Sequence, residues 1–393
     1  MKKKYFFLLF LLSIYSPLKA QVQLSVYSEV SIITAGPGNE LYEAFGHSAI
    51  RIKDSVLNLD LIYNYGMFDY NQPNFLLNFA KGNMIYSLAR YDFKYFLASY
   101  KRDKRWLKEQ VLNLTQKEKQ AYFVFLETNA SPKNRNYLYD PYFDNCATKL
   151  RDITKNILGS KVHFDDTNFT KDLTFRQLTN NEIHWNAWGT FGLNLIAGIK
   201  LDKKATSDEY MFLPDYVFNS FKNATVFIKN QSKELVKKDK TLLDFKEKEP
   251  KTLFISPFLI FSFFAIIGFL ITYRDIKRDK RTKWFDFILF FTSGLIGSII
   301  IFLWFFSSHS TAPNNFNFLW AFAPNLIIAF LLFKVETSKW FKKYIFLLII
   351  FLIIIPALWM AKIQVFPLVI IPLLILLFVR YLYLYKCLLP FKK

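Results

Sequence analysis

Long apolar runs separated by short charged loops fill the C-terminal third of the chain. Each run is close to the roughly 17–25 residues that an α-helix needs to cross the ~30 Å hydrocarbon core of a bilayer. The runs are Phe254–Tyr273, Trp284–Phe306, Phe316–Phe333, Tyr344–Met360 and about Ile363–Tyr385. The pattern predicts an all-α domain of five transmembrane helices over residues 252–393.

Basic residues are concentrated in alternate loops between these runs. Residues 274–283 contain six Lys or Arg and residues 334–343 contain four, whereas residues 307–315 contain none. Positively charged loops stay in the cytoplasm, so we expect the first span to start outside and the C-terminus to lie inside. Of the formal net charge of +20, +12 lies after residue 250. This distribution is typical of membrane topology and argues against nucleic acid as a partner.

The N-terminus has the pattern of a secretory signal peptide. Three lysines at positions 2–4 precede the apolar run Tyr5–Ile14, and Leu18-Lys19-Ala20 is a plausible cleavage site. Such a segment is removed on export, although an uncleaved anchor is the alternative. We therefore expect residues 1–20 to be a signal peptide, residues 21–230 a periplasmic domain, and residues 231–251 a charged linker to a bacterial inner (cytoplasmic) membrane.

The exported part mixes strand and helix patterns. Alternation and β-branched content predict strands, which we place within Val22–Ile33, at His47–Ile52, at Leu59–Tyr65 and at Met84–Tyr91. Thr115 and Glu118 form a capping-box pattern for a helix that runs to about Thr128. A second helix is expected over Asn145–Leu158, with Gly159 at its end. The prediction is an α+β domain with a small antiparallel sheet.

The chain has two cysteines and four histidines, which excludes a zinc ribbon, a CxxC redox pair and a disulfide framework. We predict no metal and no cofactor. Cys146 would lie in the first turn of the Asn145–Leu158 helix, where unpaired N–H groups and the helix dipole favour a thiolate. Cys146 is thus a candidate nucleophile, and a buried structural thiol is the alternative.

A nucleophilic thiol needs a base, usually histidine, and a group that orients the base. His47 follows Gly46 at the start of a predicted strand, and we assign it as the base, because His163 and His184 have the patterns of a surface and a packing histidine. Asp60 and Asn64 lie on the next strand, and both fit its two-residue alternation. Either one is compatible with the orienting role, and the residues alone predict a Cys–His site of unknown substrate.

Several of these stretches resemble a bacterial family of the Lnb type. They are Glu40–Arg51 with its Gly46-His47-Ser48 step, Tyr63–Phe68, Tyr139–Cys146, Thr174–Gln177, Met211–Pro214, Ser308–Ser310 and Asn315–Trp320. The resemblance covers most of the exported part and extends into the membrane part. It implies a circularly permuted papain-like fold, in which histidine precedes cysteine, related to NlpC-type peptidases and lecithin:retinol acyltransferase.

The resemblance also implies an activity, lipoprotein N-acyltransfer. A phospholipid would donate an acyl chain to the Cys146 thiolate, and the α-amino group of a diacylglyceryl-cysteine in a diacylated lipoprotein would accept it. With this reading we assign Cys146, His47 and Asp60 as catalytic. The residues expected to bind substrate are Asn64, Arg176, His309, Asn317 and Trp320. The last three belong to a polar loop at the predicted outer face of the membrane, where polar groups are usually functional.

Two other functions fit the same residues. A membrane-anchored cysteine hydrolase, acting on peptidoglycan or lipid, would use the same pair with water in place of the amine. A non-catalytic sensor or assembly protein would need neither the Cys146 thiol nor the His47 imidazole. Five spans favour a lipid substrate over peptidoglycan, because one anchor is usually sufficient for a cell-wall enzyme.

Overall fold

The computed structural model describes residues 22–165, 172–229, 231–247, 255–333 and 339–387. The predicted signal peptide lies outside these ranges. The described strands are β1 (Glu29–Ala35), β2 (His47–Asp54), β3 (Leu59–Met67), β4 (Ile85–Asp92), β5 (Leu107–Leu112), β6 (Asn136–Leu138), β7 (Val162–His163), β8 (Thr225–Ile228), β9 (Gln231–Glu234) and β10 (Val236–Leu243).

Helices alternate with these strands and then replace them. Before the membrane part they are α1 (Phe75–Ala80), α2 (Phe93–Asp103), α3 (Gln116–Ala130), α4 (Cys146–Leu158), α5 (Phe175–Glu182), α6 (Trp188–Ile196), α7 (Ser207–Tyr210) and α8 (Pro214–Asn223). The helices of the membrane part are α9 (Pro257–Arg278), α10 (Lys283–Phe305), α11 (Asn325–Leu331), α12 (Lys339–Met360) and α13 (Ile371–Cys387). The α+β class is confirmed for the first part and the helical class for the second.

The main sheet is larger than the sequence predicted. Its seven described strands follow the order β10-β5-β1-β2-β3-β4-β6, and every pairing in it is antiparallel. A second sheet joins β7, β8 and β9. The alternating pattern predicts β1 to β4, but it does not predict β5, β6 or β10. Half of the residues of β10, VKKDKTLL, are charged and half are exposed, as is common in edge strands protected against aggregation.

The position of β10 corrects the predicted linker. Residues 231–234 form β9 and residues 236–243 form β10, and β10 pairs with β5 from Val236 to Leu243. The preceding Leu235 is fully buried in the main core. The segment predicted as a charged linker therefore provides an edge strand to each of the two sheets.

Helices cover both faces of the central strands, which explains why five consecutive residues of β2, from Ser48 to Ile52, are buried. On one face α4 contributes Leu150 and Ile153 to the core that contains Ile50 and Ile52. On the other face α2 packs its phenylalanines against Ala49 and Ile62. The helix predicted at Asn145–Leu158 is thus confirmed, together with its apolar face.

Among the described residues, four helical segments are long and apolar enough to cross a membrane. They are Pro257–Arg278, Lys283–Phe305, Lys339–Met360 and Leu368–Cys387. The run Phe316–Phe333, predicted as a continuous helix, is instead a 3-10 turn at Phe316–Leu319 and the seven-residue helix α11. Pro324 immediately precedes α11, at a position where its missing N–H costs no hydrogen bond within the helix.

The broken run still passes from one end of the bundle to the other beside α10. The run begins after the loop that follows Phe305. At the other end of the run, the Leu332 carbonyl accepts a 2.7 Å hydrogen bond from Arg281, which lies just before the start of α10. Phe333 packs its ring 4.9 Å from that of Trp284. Arg281 and Trp284 therefore mark the end of the bundle that is remote from the sheet domain.

The other end of the bundle contacts the sheet domain. The amide nitrogen of Gly198 donates to the Thr311 carbonyl at 2.8 Å. The Asn315 side chain donates to the Leu195 carbonyl at 2.7 Å, and the backbone of Val365 donates to Asp202 at 3.1 Å. Loops after α10 and after α12 thus hold the sheet domain at one end of the bundle.

Candidate active site

Cys146 is the first residue of α4, and Asn145 fixes it there. The Asn145 side chain accepts hydrogen bonds from the backbone of Ala147 and Thr148, both at 2.9 Å, and Thr148 accepts one from the Asn145 backbone at 2.8 Å. This capping box satisfies the open N–H groups of the first turn. The Asn145 amide also donates to the carbonyl of Phe212 at 2.8 Å. The thiol, 8 % exposed, is consequently held at the positive end of the helix.

His47 is the first residue of β2, and the glycine before it makes this placement possible. Gly46 has φ +74°, and a Cβ at this position would lie 2.8 Å from the Ala35 carbonyl oxygen. A larger residue would therefore be both strained and too close to β1. His47 pairs with Ala35 in the β1–β2 register, and its ring lies 6.5 Å from that of Phe96.

The thiol and the imidazole interact directly. Burial favours the neutral thiol, but the charge and hydrogen bond of His47, with the N–H groups of Ser48 and Ala147, outweigh it and hold the pKa of Cys146 below its usual value. Burial likewise lowers the pKa of His47, but Cys146 and Asn64 raise it more, so the net shift is upward. Both shifts favour a thiolate–imidazolium pair.

Asn64, and not Asp60, orients the imidazole. His47 donates from Nε2 to Oδ1 of Asn64 at 2.6 Å, which leaves Nδ1 for the thiol. The Asn64 amide donates to the Tyr91 hydroxyl at 3.1 Å, and this bond fixes which way the amide points. Asn64, which we expected to bind substrate, therefore takes the orienting position.

The assignment of Asp60 to the catalytic group is wrong. Its carboxylate accepts two hydrogen bonds of 2.7 Å from Arg51, and in the β2–β3 register it lies opposite Lys53. Asp60 is on the same face of β3 as Asn64 but four residues away. At about 3.3 Å per residue, that distance is too long for contact with His47.

Tyrosines form the wall on the other side of the thiol. Tyr139 and Cys146 both lie beside Gly66: a Cβ on this glycine would be 3.5 Å from the Tyr139 ring and 3.7 Å from Cβ of Cys146. The Tyr137 hydroxyl lies 4.0 Å from the same point. The buried hydroxyls of Tyr137 and Tyr65 have no hydrogen-bond partner among the described residues. Tyr137 and Tyr65 were not singled out from the sequence, because a tyrosine in a strand is ordinarily a packing residue.

Arg176 does not face the site. Its buried guanidinium pairs with Asp202 at 2.9 Å and donates to the Asn194 side chain and to the carbonyls of Ala197 and Gly198. Asp202 in turn accepts the hydrogen bond from Val365. All of these partners are protein groups, so the expected substrate contact is replaced by a structural role where the sheet domain meets the bundle.

The outer-loop residues are placed differently from our expectation as well. Asn317 is fully buried and donates to the carbonyls of Asn194 and Leu195, both at 3.2 Å, and Trp320 donates from Nε1 to Asn317 at 2.9 Å. His309 donates from Nε2 to the Phe79 carbonyl at 2.9 Å. Asn317 and His309 therefore bond across the junction between the two parts of the protein, and Trp320 holds Asn317 from within the bundle.

The same loop reaches the segment that carries the nucleophile. Ser310 donates to the carboxylate of Asp140, and Asp140 also accepts hydrogen bonds from the backbone of Tyr142 and Phe143. Cys146 follows three residues after Phe143. The outer end of the bundle is therefore close to the thiol.

The arrangement as a whole is suited to acyl transfer through a thioester. It provides a nucleophile with a depressed pKa, a base in contact with it and an amide that orients the base. Over the described residues, no group of three or more His, Cys, Asp or Glu side chains is arranged to hold a metal ion.

Two family models match the chain. The model described as Lnb N-terminal periplasmic domain matches residues 15–181, and the model described as Lnb transmembrane domain matches residues 248–390. The first match contains His47, Asn64 and Cys146. No curated protein and no solved structure gives a significant match.

The thiolate–imidazolium pair predicts the pH profile of alkylation by iodoacetamide. In the wild type, Cys146 should react at a rate that persists well below pH ~8.5, the ordinary thiol pKa. Removing the imidazole in His47→Ala leaves the effect of burial on the thiol unopposed, so the inflection of the alkylation rate should move to higher pH. The rate at pH 6.5 should fall by about tenfold or more. Asn64→Ala should raise the pH of this inflection by a smaller amount, and Asp60→Asn, on the same strand, should not change it. A His47→Ala profile that superimposes on the wild-type profile would exclude the pair.

Arg176 allows a direct test of structural against substrate-binding roles. Arg176→Ala leaves the buried Asp202 carboxylate without its cation, and breaking a buried pair costs about 3–5 kcal/mol. Lys204→Ala is the matched control, since its pair with Asp172 is exposed and such pairs contribute about 0–1 kcal/mol. Thermal unfolding of the full chain in detergent should show a much lower midpoint for Arg176→Ala only. Equal unfolding midpoints in the two variants, together with a loss of turnover in Arg176→Ala, would instead support a substrate-binding role for Arg176.

Proposed function

The chain belongs to the Lnb family, and from this premise we propose that it is an inner-membrane lipoprotein N-acyltransferase. The observation that carries the proposal is the Cys146–His47–Asn64 group, which lies close to the contact between Ser310 of the bundle loop and Asp140. Its substrates are a phospholipid acyl donor and a diacylated lipoprotein acceptor. Both are confined to the bilayer surface, and confinement beside the thiol raises their effective concentration and limits their orientations.

The first half-reaction forms a thioester. The Cys146 thiolate attacks the carbonyl carbon of a phospholipid ester, so that an S–C bond forms and the C–O bond to glycerol breaks. The His47 imidazolium gives its proton to the departing glycerol oxygen, and a lysophospholipid leaves. Asn64 keeps Nε2 of His47 occupied, which directs Nδ1 to the reacting atoms.

The second half-reaction regenerates the thiolate. The α-amino nitrogen of the diacylglyceryl-cysteine attacks the thioester carbonyl, and an amide bond forms as the S–C bond breaks. His47 takes the proton that the amine loses and returns to the imidazolium state beside the thiolate. The products are a triacylated lipoprotein and the enzyme in its starting state.

Both half-reactions pass through a tetrahedral oxyanion that requires donors. We assign the Tyr137 hydroxyl to this role. It is buried near Cys146, it has no partner among the described residues, and its pKa is raised by burial and then by the charge of Cys146. A tyrosine that remains protonated is available as a donor.

The proposed topology has five membrane crossings, with the C-terminus in the cytoplasm. Four crossings are the long apolar helices, and the fifth is the broken run 316–333, which extends along α10 between the two ends of the bundle. The basic loop 274–283 lies at the end remote from the sheet domain, which supports a cytoplasmic position for that end.

The reaction is tested in a bacterium that lacks its own lipoprotein N-acyltransferase and carries this chain. The mass of the N-terminal peptide of an abundant lipoprotein should increase by one amide-linked acyl chain. Cys146→Ser should abolish the increase, because the weakly acidic serine hydroxyl supplies no comparable nucleophile. Tyr137→Phe should slow it by about 10²–10³-fold, the usual effect of removing an oxyanion donor.

The matched control for Tyr137→Phe is Tyr27→Phe, an exposed tyrosine near the start of the sheet domain, which should leave the rate unchanged. Release of free fatty acid, with no acyl chain on the lipoprotein, would instead identify the chain as a lipid hydrolase. Normal N-acylation by Cys146→Ser would reject the thioester route.

The topology is tested by fusions to alkaline phosphatase, which is active only outside the cytoplasm. A fusion after Asn230 should be active, and fusions after Arg281 and after Lys393 should be inactive. Green fluorescent protein at the same three positions should give the opposite pattern. Phosphatase activity at the C-terminal fusion would mean an even number of crossings.

A further inference from the structure

An exposed apolar segment lies beside the candidate active site, and the mechanism above does not use it. We call residues 68–82 the α1 segment, since α1 is its helix. Leu76 is 80 % exposed, and Leu77 and Phe79 are each about half exposed. Residues 68–82 contain one acidic residue, Asp69, and one basic residue, Lys81, and neither belongs to α1. Clustered exposed apolar side chains mark an interaction surface.

The α1 segment is attached to the outer end of the bundle. The Ser308 backbone donates to the Lys81 carbonyl at 2.7 Å, and the His309 ring donates to the Phe79 carbonyl at 2.9 Å. Gly82 allows this approach, because a Cβ there would lie 2.6 Å from the His309 nitrogen.

The neighbouring bundle residues place the α1 segment at the level of the bilayer surface. Phe305 and Phe306, which end α10 directly before the Ser307–His309 contact, are each about two-thirds exposed. Since α10 is one of the spans, these phenylalanines meet the lipid at the outer interface. The exposed face of the α1 segment thus continues an apolar surface that already contacts lipid.

A chain of aromatic rings connects this surface with the thiol. The centroid separations are 6.2 Å for Phe79–Phe75, 6.2 Å for Phe75–Phe68, 5.1 Å for Phe68–Tyr86 and 4.3 Å for Tyr86–Tyr139. Tyr139 and Cys146 lie beside the same point at Gly66, since a Cβ on this glycine would be within 3.7 Å of both side chains. A lipid tail that leaves the bilayer along these rings stays in apolar contact until its ester is near the sulfur.

We propose that the α1 segment inserts into the outer leaflet and that its aromatic rings guide a phospholipid acyl chain to Cys146. The occupant of the exposed face is therefore the acyl region of the membrane. The guiding role rests on the acyl-transfer function proposed above, whereas insertion rests only on the placement of the segment against the bundle.

Insertion is tested by depth measurement on the full chain in vesicles of phosphatidylethanolamine and phosphatidylglycerol. Cys146→Ser and Cys387→Ser remove the native thiols, and Leu76→Cys then carries an environment-sensitive nitrobenzoxadiazole label. The matched control is Val56→Cys, which is 62 % exposed in the β2–β3 turn. We expect blue-shifted emission and quenching by lipids with a nitroxide on the acyl chain at position 76, and quenching by aqueous iodide at position 56.

The guiding role is tested by the double variant Leu76→Ser, Leu77→Ser in the otherwise native chain, with Val56→Ser as control. Transfer from vesicle phospholipid should fall by about tenfold to hundredfold, the effect of losing the burial of one or two leucines in the lipid. Alkylation of Cys146 by iodoacetamide should be unchanged in both variants, because the site itself is intact.

Equal iodide quenching at positions 76 and 56 would overturn insertion, and so would protection of position 76 accompanied by cross-linking to a second copy of the chain. Unchanged transfer by the double variant would overturn the guiding role. If the wild type itself transfers no acyl chain, the proposed function and the guiding role both fail, and the depth measurement still decides whether the α1 segment inserts.

Discussion

A buried thiol becomes a nucleophile only when a neighbouring cation offsets the loss of solvation of its charged form, and the sheet domain is organised around this requirement. The imidazole of His47 must enter at the start of β2, which Gly46 permits, while Asn145 holds Cys146 in the first turn of α4. Asn64 on β3 fixes the imidazole between them. Three elements that are distant in sequence therefore converge on one ion pair, and the covering of both faces of the sheet keeps it away from bulk water.

The second constraint is that the substrates we propose do not leave the membrane. The loop after α10 meets this constraint with backbone and side-chain contacts to the sheet domain, which include the hydrogen bond from Ser310 to Asp140 close to the nucleophile. Arg176 and Asp202 stabilise the same junction from within the sheet domain. The polar residues of this region hold the active site at the bilayer surface, and the apolar α1 segment offers the lipid a route to it.

Much of this arrangement was predictable from local patterns. The capping signals at Thr115 and at Asn145, the strand that begins at His47 and the four long apolar helices depend on neighbouring residues, and the structure has all of them. The choice between Asp60 and Asn64 was not predictable, because it depends on the register that the β2–β3 turn imposes. The roles of Arg176 and Asn317 depend on partners that lie tens of residues away or more.

Two errors in the fold have the same physical origin. Strand β10 was assigned to a linker because its charged side chains face solvent, although its backbone completes the sheet. The apolar run 316–333 predicts a single helix, but the structure divides it into a 3-10 turn and α11, and the side chains of Asn317 and Asn325 bond within the protein. Hydropathy reports the environment of side chains, and backbone pairing is decided by elements elsewhere in the chain.

The most direct test of the central claim is the detection of the acyl-enzyme. The purified full chain, in bilayers of phospholipid with isotopically labelled acyl chains and without lipoprotein, is digested and analysed by mass spectrometry. We predict one labelled acyl group on the peptide that contains Cys146, removable by neutral hydroxylamine as a thioester is, and strongly reduced in His47→Ala. An acyl group on another residue, or lysophospholipid release without any adduct at Cys146, would contradict the account.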